Sequence, residues 1–267
     1  MQRYAVFGQP IAHSLSPRIH AMFGEQLGIR VDYRAIEVGP AEFPARLEAF
    51  AREGGAGANV TVPLKRDAVA LCGSLSVRAR RCGSVNTLTY DGGTWRGDST
   101  DGVGFLHDLR DRLGFDPRGR RLLLLGAGGA ARAVAFALVD AGAGALLVAN
   151  RSAERATALA DALGPTARAV AWHEAGTSGP FALVVNATSA GHGSRFDPPS
   201  LAFDGSTFCY DLSYGAASLP FLDWARRAGA GQVHDGLGML VEQAAESFAS
   251  WHGRRPATAP VLDALPA

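Results

Sequence analysis

The apolar positions in this chain change period repeatedly, and each change marks an element. Tyr4-Ala5-Val6-Phe7-Gly8 is a continuous apolar run of strand length, broken by Gln9-Pro10. Ile19, Met22, Phe23 and Leu27 then fall at helical spacing, with Ser16-Pro17 as the start signal and Gly28 as the stop. In this reading Ser16 caps the free amides of the first turn. Residues 31–38 form a second strand, and 41–52 an amphipathic helix closed by Gly54-Gly55. A third apolar run, Gly57 to Val62, ends in Pro63 and delivers Lys65 at the mouth of the next helix. Short strands at 85–89 and 94–96 join across Asp91-Gly92-Gly93, a hairpin signal. Alternating strands and helices predict a largely parallel sheet.

The second half repeats the alternation more strictly. After Asp101 a helix over 103–113 runs into the turn Gly114-Phe115-Asp116-Pro117, a candidate boundary. Leu122 to Leu125 then enters Gly126-Ala127-Gly128-Gly129-Ala130, and a helix continues over 134–141. A strand at 145–149 ends at Asn150-Arg151-Ser152 and a helix follows over 152–163. Further strands are expected around Ala169, at Leu183-Val184-Val185 and at Phe208-Cys209-Tyr210. The region 237–251 reads as one long helix, with Leu240, Val241, Ala244, Ala245 and Phe248 on its apolar side. No internal repeat or low-complexity tract interrupts the pattern.

Composition sharpens this in a few places. A length of 267 residues accommodates two domains, and 47 % hydrophobic with 19 % charged residues describes a globular chain with a sizeable core. A formal net charge of +1, with arginines scattered along the chain, argues against nucleic acid or an anionic membrane as partner. No apolar run approaches the roughly 18 residues of a membrane span, and no secretory hydrophobic block precedes the first strand. The three cysteines, Cys72, Cys82 and Cys209, have no CxxC spacing and are odd in number, so no disulfide framework or zinc site is expected and a reducing, cytoplasmic setting is.

One number bears directly on chemistry. Lysine and arginine together number 26, and Lys65 is the only lysine. A composition so averse to lysine would supply a plain positive charge as arginine. Lysine differs because it gives up a proton in an accessible pH range. Lys65 is therefore a candidate acid–base group, set against the alternative of an incidental cation on a solvated helix start. Asp101, in Gly97-Asp98-Ser99-Thr100-Asp101-Gly102, is the candidate partner: a carboxylate beside Lys65 would orient its ammonium, although Asp101 can equally cap the helix it precedes. The strand, Gly-x-Gly-x-x-Ala and helix over Leu122–Arg132 form a dinucleotide-binding turn, in which a pyrophosphate sits on the helix amides. The next strand ends in Asn150-Arg151-Ser152 with Arg155 one turn on, where a NAD site usually presents an acid. Two guanidiniums and a hydroxyl there favour the 2′-phosphate of NADP.

Ser14 and Ser16, two residues apart before a helix, can offer hydroxyls to a small anion. Asn59, Thr61 and Asn86 are uncharged hydrogen-bonding groups at strand ends, suited to a polyhydroxylated ligand. His13 and His20 read as satisfied structural histidines, and no His/Cys/Asp cluster has metal spacing.

Taken together, His13-Ser14-Leu15-Ser16-Pro17, Asn59-Val60-Thr61-Val62-Pro63-Leu64-Lys65, Val85-Asn86-Thr87, Gly97 to Gly102, Gly126 to Ala130, Asn186-Ala187-Thr188-Ser189 and Asp235-Gly236-Leu237-Gly238-Met239 through Gln243 resemble the shikimate dehydrogenase family, in order from Tyr4 to about Trp251. The resemblance implies an α/β architecture of two domains. A mainly parallel N-terminal substrate domain is completed by C-terminal helices (1–101 with 237–267), and a Rossmann domain for NADP is inserted (102–236), with the active site in the cleft. It implies Lys65 and Asp101 as the catalytic pair, and Ser14, Ser16, Asn59, Thr61, Asn86, Tyr214 and Gln243 around the carboxylate and hydroxyls of shikimate. Its NADP contacts would fall on Gly126, Ala127, Gly128, Gly129, Ala130, Asn150, Arg151, Ser152, Arg155, Thr188, Leu212, Gly236 and Met239. The implied activity is reversible NADPH-dependent reduction of 3-dehydroshikimate, with a monomer or homodimer left open. Ser16, where quinate-preferring relatives often carry Thr, favours shikimate. Ser99, Ser152, Val77 and Leu219 depart from commoner family residues and bear on fine positioning. A broader quinate/shikimate dehydrogenase and a non-catalytic dinucleotide sensor are the rival readings.

Overall fold

The computed structural model describes residues 2–188, 196–201 and 203–266. The chain forms two compact units, one of residues up to Phe105 with Leu240–Pro266, the other of Leu106–Met239. Among the described residues no helix is long and apolar enough to cross a membrane.

The first unit begins with β1 (Arg3–Gly8), α1 (Ser16–Leu27), β2 (Asp32–Glu37), α2 (Phe43–Arg52) and β3 (Gly55–Val60). The short elements α3 (Asp67–Ala70), β4 (Ser74–Leu75) and α4 (Val77–Cys82) follow, then the hairpin β5 (Thr87–Asp91) and β6 (Thr94–Asp98). α5 (Asp101–His107) leads out of the unit, and a π-helical turn, Asp108–Arg112, continues it. The sheet order is β2-β1-β3-β5-β6-β4. β1 runs parallel to β2 and β3 and β4 parallel to β6, whereas β5 opposes both β3 and β6. The reversal follows from the tight turn after Asp91: a hairpin joins antiparallel strands, and a parallel return needs a crossover.

Burial explains why these runs are apolar. Phe7, Phe43, Leu47, Phe50, Leu64, Leu88 and Trp95 close one core, and Tyr4, Val6, Ile11 and Tyr33 pack on the other side with Trp251. Each large side chain removed from water here is worth about 1.5–3 kcal/mol. His20 belongs to the second cluster, stacked on Tyr33 with ring centroids 4.2 Å apart. Burial lowers its pKa to about 3, so the ring is neutral, and neither ring nitrogen has a hydrogen-bond partner. That differs from the expected satisfied histidine; the aromatic neighbours use the imidazole as an apolar plate.

Ser16 also differs from expectation. Leu15 occupies the N-cap of α1 and Ser16 is the first helical residue, whose amide donates to Ser14 Oγ at 3.3 Å. The strand read over Gly57 to Val62 spans Gly55–Val60.

The second unit contains β7 (Arg121–Leu125), α6 (Gly129–Asp140), β8 (Ala145–Ala149), α7 (Ala153–Leu163) and β9 (Ala167–Val170). β10 (Leu183–Asn186), β11 (Phe208–Asp211), α8 (Leu219–Arg227) and β12 (Gln232–His234) complete it. All five pairings are parallel, in the order β12-β11-β10-β7-β8-β9. The two halves run outward from β7 and β10, and ligands of such sheets bind at that switch point, beyond the carboxyl ends of the strands. α9 (Leu237–His252) carries the chain back into the first unit, where α10 (Ala259–Asp263) ends it. A Cβ on Gly104 would lie 2.5 Å from the Gln243 amide nitrogen, so only glycine lets α5 approach α9 this closely.

At the switch point a buried pair braces two strand ends. Asn186 Nδ2 donates to Asp211 Oδ2 at 2.9 Å, and the Ser213 amide donates to Asp211 Oδ1 at 2.8 Å; both side chains are wholly buried. Asn186 Oδ1 in turn accepts from the amide and hydroxyl of Thr188. Burial raises the Asp211 pKa from 3.8 to about 7 against these hydrogen bonds. Because the folded state holds its proton to higher pH than the unfolded chain does, this group lowers stability as pH rises between those two values. We expect the unfolding free energy of the wild type, minus that of Asp211→Asn, to fall by up to about 1.4 kcal/mol per pH unit across that window in urea titrations. A difference that stays flat with pH contradicts the assignment.

Candidate active site

In the first unit the chemistry gathers where β3, β5 and α5 meet. Lys65 lies five residues beyond the end of β3, and its carbonyl accepts from the Val85 amide at 2.9 Å, which ties the lysine turn to the start of the hairpin. Asp101 opens α5. Lys65 Nζ donates to Asp101 Oδ2 at 2.7 Å, with side-chain exposures of 13 % and 4 %. The contact that the sequence left open is therefore made, inside one unit. Burial this deep tolerates a carboxylate only when it is paired and hydrogen-bonded. The second oxygen, Oδ1, accepts from Asn86 Nδ2 at 2.9 Å.

Asn86 is itself held from several sides. Its Oδ1 accepts from the Thr100 amide at 2.7 Å, and its Nδ2 also faces Thr100 Oγ1 at 2.9 Å and Gln243 Oε1 at 3.1 Å. Gln243 Nε2 donates to the Leu240 carbonyl within α9. Asn59 lies at the far side of the same network: Tyr33 donates to its Oδ1 at 2.8 Å, and its Nδ2 donates towards Ser247, Thr87 and the Asn86 carbonyl. The Asn59 amide thus has protein partners on both ends and 6 % exposure. Ser14 and Thr61 are half-buried on the loops after β1 and β3, and Ser16 is buried.

Asp98, three residues before Asp101, does other work. It accepts from Arg78 Nε and Nη2, Ser76 Oγ and its own neighbour's amide, Ser99 N. Burial presses its pKa upward, and the Arg78 guanidinium and Ser76 hydroxyl more than offset this, leaving it below the ordinary value. The carboxylate is committed to fastening α4.

In the second unit the glycine turn has the shape expected of it. Gly126 has φ +113°, and a Cβ there would lie 2.8 Å from the Ala187 carbonyl oxygen. Gly128 is the N-cap of α6 and no side chain caps the helix, so its amides and dipole face outward past Ala127, Gly129 and Ala130. At the end of β8, Arg151 and Arg155 are exposed, and Asn150 Nδ2 donates to the Ser152 carbonyl at 3.0 Å. Ser152 caps α7, accepting from the Arg155 amide, and donates its hydroxyl to Glu154 Oε2 at 2.7 Å. Glu154 places an acid two residues from a serine expected at a phosphate. Thr188 is held by Asn186, the Leu212 carbonyl covers Gly236 and Met239 is buried. Tyr214 lies on the loop after β11, in this unit, unlike the other residues expected at the substrate. Ser189 lies outside the described residues. No group of three or more potential metal ligands occurs among the described residues.

Several residues of this arrangement escaped the sequence reading: Tyr33, Thr87, Thr100, Ser247 and Asp211. Ser247 had a usable signal, since it follows Gln243 by four residues and so shares its helix face. Thr87 and Thr100 belong to the Val85-Asn86-Thr87 and Gly97–Gly102 segments, whose spacing carries no sign of their contact. Tyr33 had no signal.

Comparison with known proteins gives matches in three segments of the chain. The family model for the shikimate dehydrogenase substrate binding domain matches residues 6–88, that for shikimate/quinate 5-dehydrogenase residues 110–192, and that for the shikimate 5′-dehydrogenase C-terminal domain residues 236–265. A shikimate dehydrogenase (NADP(+)) of Xanthomonas campestris pv. campestris is 57 % identical over 99 % of this chain and 95 % of its own length. The enzyme of the same name from Xylella fastidiosa is 55 % identical over 99 % and 96 %. Among solved structures, shikimate 5-dehydrogenase from Thermus thermophilus, in complex with NADP(H) and shikimate, superposes with a TM-score of 0.87 at 38 % identity, covering 98 % of each chain. The chain belongs to the shikimate dehydrogenase family.

Proposed function

We propose that the protein catalyses the reversible, NADP-dependent interconversion of 3-dehydroshikimate and shikimate, with Lys65 as the acid–base group and Asp101 as its positioning partner. The observation that carries the reading is the buried Lys65–Asp101 contact at 2.7 Å. A lone amine at a solvated helix start has no reason to be held by a carboxylate that is itself fixed by Asn86. NADPH, when bound, supplies the hydride that reaches the ring carbonyl carbon. Lys65 Nζ then delivers a proton to the oxygen on which negative charge develops, and takes it back in the oxidation direction. Asp101 keeps the ammonium aimed and balances its charge while that proton moves.

Ser14 and Ser16 are assigned to the substrate carboxylate, and Thr61, Asn86, Gln243 and Tyr214 to its hydroxyls. Asn59 supports this set through Asn86 and Thr87. The open glycine turn fits a pyrophosphate, and Arg151, Ser152 and Arg155 fit a 2′-phosphate. Glu154 holds the Ser152 hydroxyl proton, so the arginines carry most of that recognition. The reading includes a cytoplasmic location, where reduced nicotinamide is made and consumed.

Absorbance at the reduced nicotinamide band, with shikimate or quinate against NADP or NAD, tests it. Shikimate with NADP is expected to give the highest kcat/KM. Comparable values for quinate would establish the broader specificity, and no turnover of either acid despite NADP binding would establish a sensor. Lys65→Ala is expected to lower kcat by about 100-fold or more, and a loss below about tenfold would remove the acid–base role. Arg151→Ala combined with Arg155→Ala should raise KM for NADP by about tenfold or more with little change for NAD, and equal effects on both would overturn the 2′-phosphate assignment.

A further inference from the structure

Three buried hydroxyls stand behind the site with no part in the chemistry just described. Thr87 and Thr100 lie on or beside the hairpin strands, Ser247 on α9, and their exposures are 1 %, 0 % and 0 %. They are not scattered. Thr87 Oγ1 is 2.8 Å from Ser247 Oγ, 3.1 Å from Thr100 Oγ1, 3.1 Å from Asn86 Oδ1 and 3.3 Å from Asn59 Nδ2. It is the point where the Asn59 side of the network meets the Asn86 side.

One set of proton directions serves the whole network. Ser247 accepts from Asn59 Nδ2 at 2.9 Å and turns its own proton to Thr87 Oγ1 at 2.8 Å, which leaves the Thr87 hydroxyl to donate to Asn86 Oδ1 at 3.1 Å. The Thr100 amide must donate, and Asn86 Oδ1 receives it. With that oxygen fixed, the Asn86 nitrogen points to the Asp101 carboxylate and to Gln243. A flipped amide would set an oxygen against the carboxylate and against Gln243 Oε1, three acceptors together, and an NH2 against the Thr100 amide. Hydrogen-bonded groups in a dry interior polarise and hold one another, and a partly satisfied network is where such order fails first.

We propose that Thr87 and Ser247 are positioning residues for the proton transfer at Lys65. The Thr87 hydroxyl adds to the Thr100 amide in holding Asn86 in the one orientation that puts a donor on Asp101 Oδ1, leaving Oδ2 for the lysine, and Ser247 holds Thr87 and Asn59 behind it. Neither hydroxyl touches the reacting atoms. The inference rests on the function proposed above and goes beyond it by tracing the control of Lys65 through Asp101 and Asn86 to a strand residue and to α9.

The test uses the full chain with Thr87→Val, which keeps the branched shape and removes the hydroxyl, Thr87→Ser, which keeps the hydroxyl, and Ser247→Ala. Thr87→Val and Ser247→Ala should each lower kcat with shikimate by about tenfold while KM for NADP stays within about twofold, and Thr87→Ser should recover kcat to within about threefold of wild type. A merely structural role predicts instead a lower urea midpoint with kcat within about twofold of wild type, and that result overturns the inference. Loss of kcat that Thr87→Ser does not recover overturns it as well. Where Thr87→Val fails to fold, the Ser247→Ala and Thr87→Ser pair decides by the same criteria. A wild-type chain that turns over neither acid would sink the proposed function and this inference with it; an active wild type with unchanged variants sinks the inference alone.

Discussion

A carboxylate sealed from water is unstable unless its charge is answered, and Asp101 is answered twice. Lys65 takes one oxygen and Asn86 the other. Everything around the site in the first unit can be traced to that requirement. The hairpin exists where Asn86 and Thr87 need to stand beside Asp98 and Thr100, and β5 reverses direction to place them there. Gly104 has no side chain because Gln243 must come within reach of Asn86. Removing either partner of such a pair leaves a buried charge alone, which is far more costly than the pair is stabilising.

The two carboxylates of the Gly97–Gly102 segment show how context assigns roles to identical chemistry. Asp98 is gripped by an arginine, a serine and an amide, and has no capacity left for a proton in turnover. Asp101 has an amine that can release a proton and an amide that cannot. In the second unit Asp211 is a third variation, sealed with Asn186 and Ser213 and no cation among its hydrogen-bond partners, and its burial drives it towards neutrality.

Much of this was legible in the sequence because it depends on local period. The strand–glycine–helix unit, the long helix after Leu237 and the alternation around β10 and β11 are properties of neighbouring residues. Lys65 stood out by scarcity and Asp101 by its motif. What could not be read was long-range complementarity. Thr87 and Ser247 are separated by 160 positions and meet only after the C-terminal helix returns to the first unit. The cap position of α1 falls on Leu15, and Ser16 stands inside the helix with its amide on Ser14 Oγ, an arrangement that Ser-x-Ser spelling does not reveal. His20 was read as a polar group needing partners, and the aromatic ring stacked on it reversed that.

The scarcity of lysine has a consequence of its own. A chain whose side chains offer a single primary amine answers amine-selective reagents at one place besides its α-amino group, so acylation, reductive alkylation or imine-forming probes become close to site-directed without any engineering. That amine is 13 % exposed and salt-bridged, so its labelling rate would measure how often the Lys65–Asp101 contact opens. In most proteins that signal is buried under dozens of surface lysines; here the composition has already removed the background.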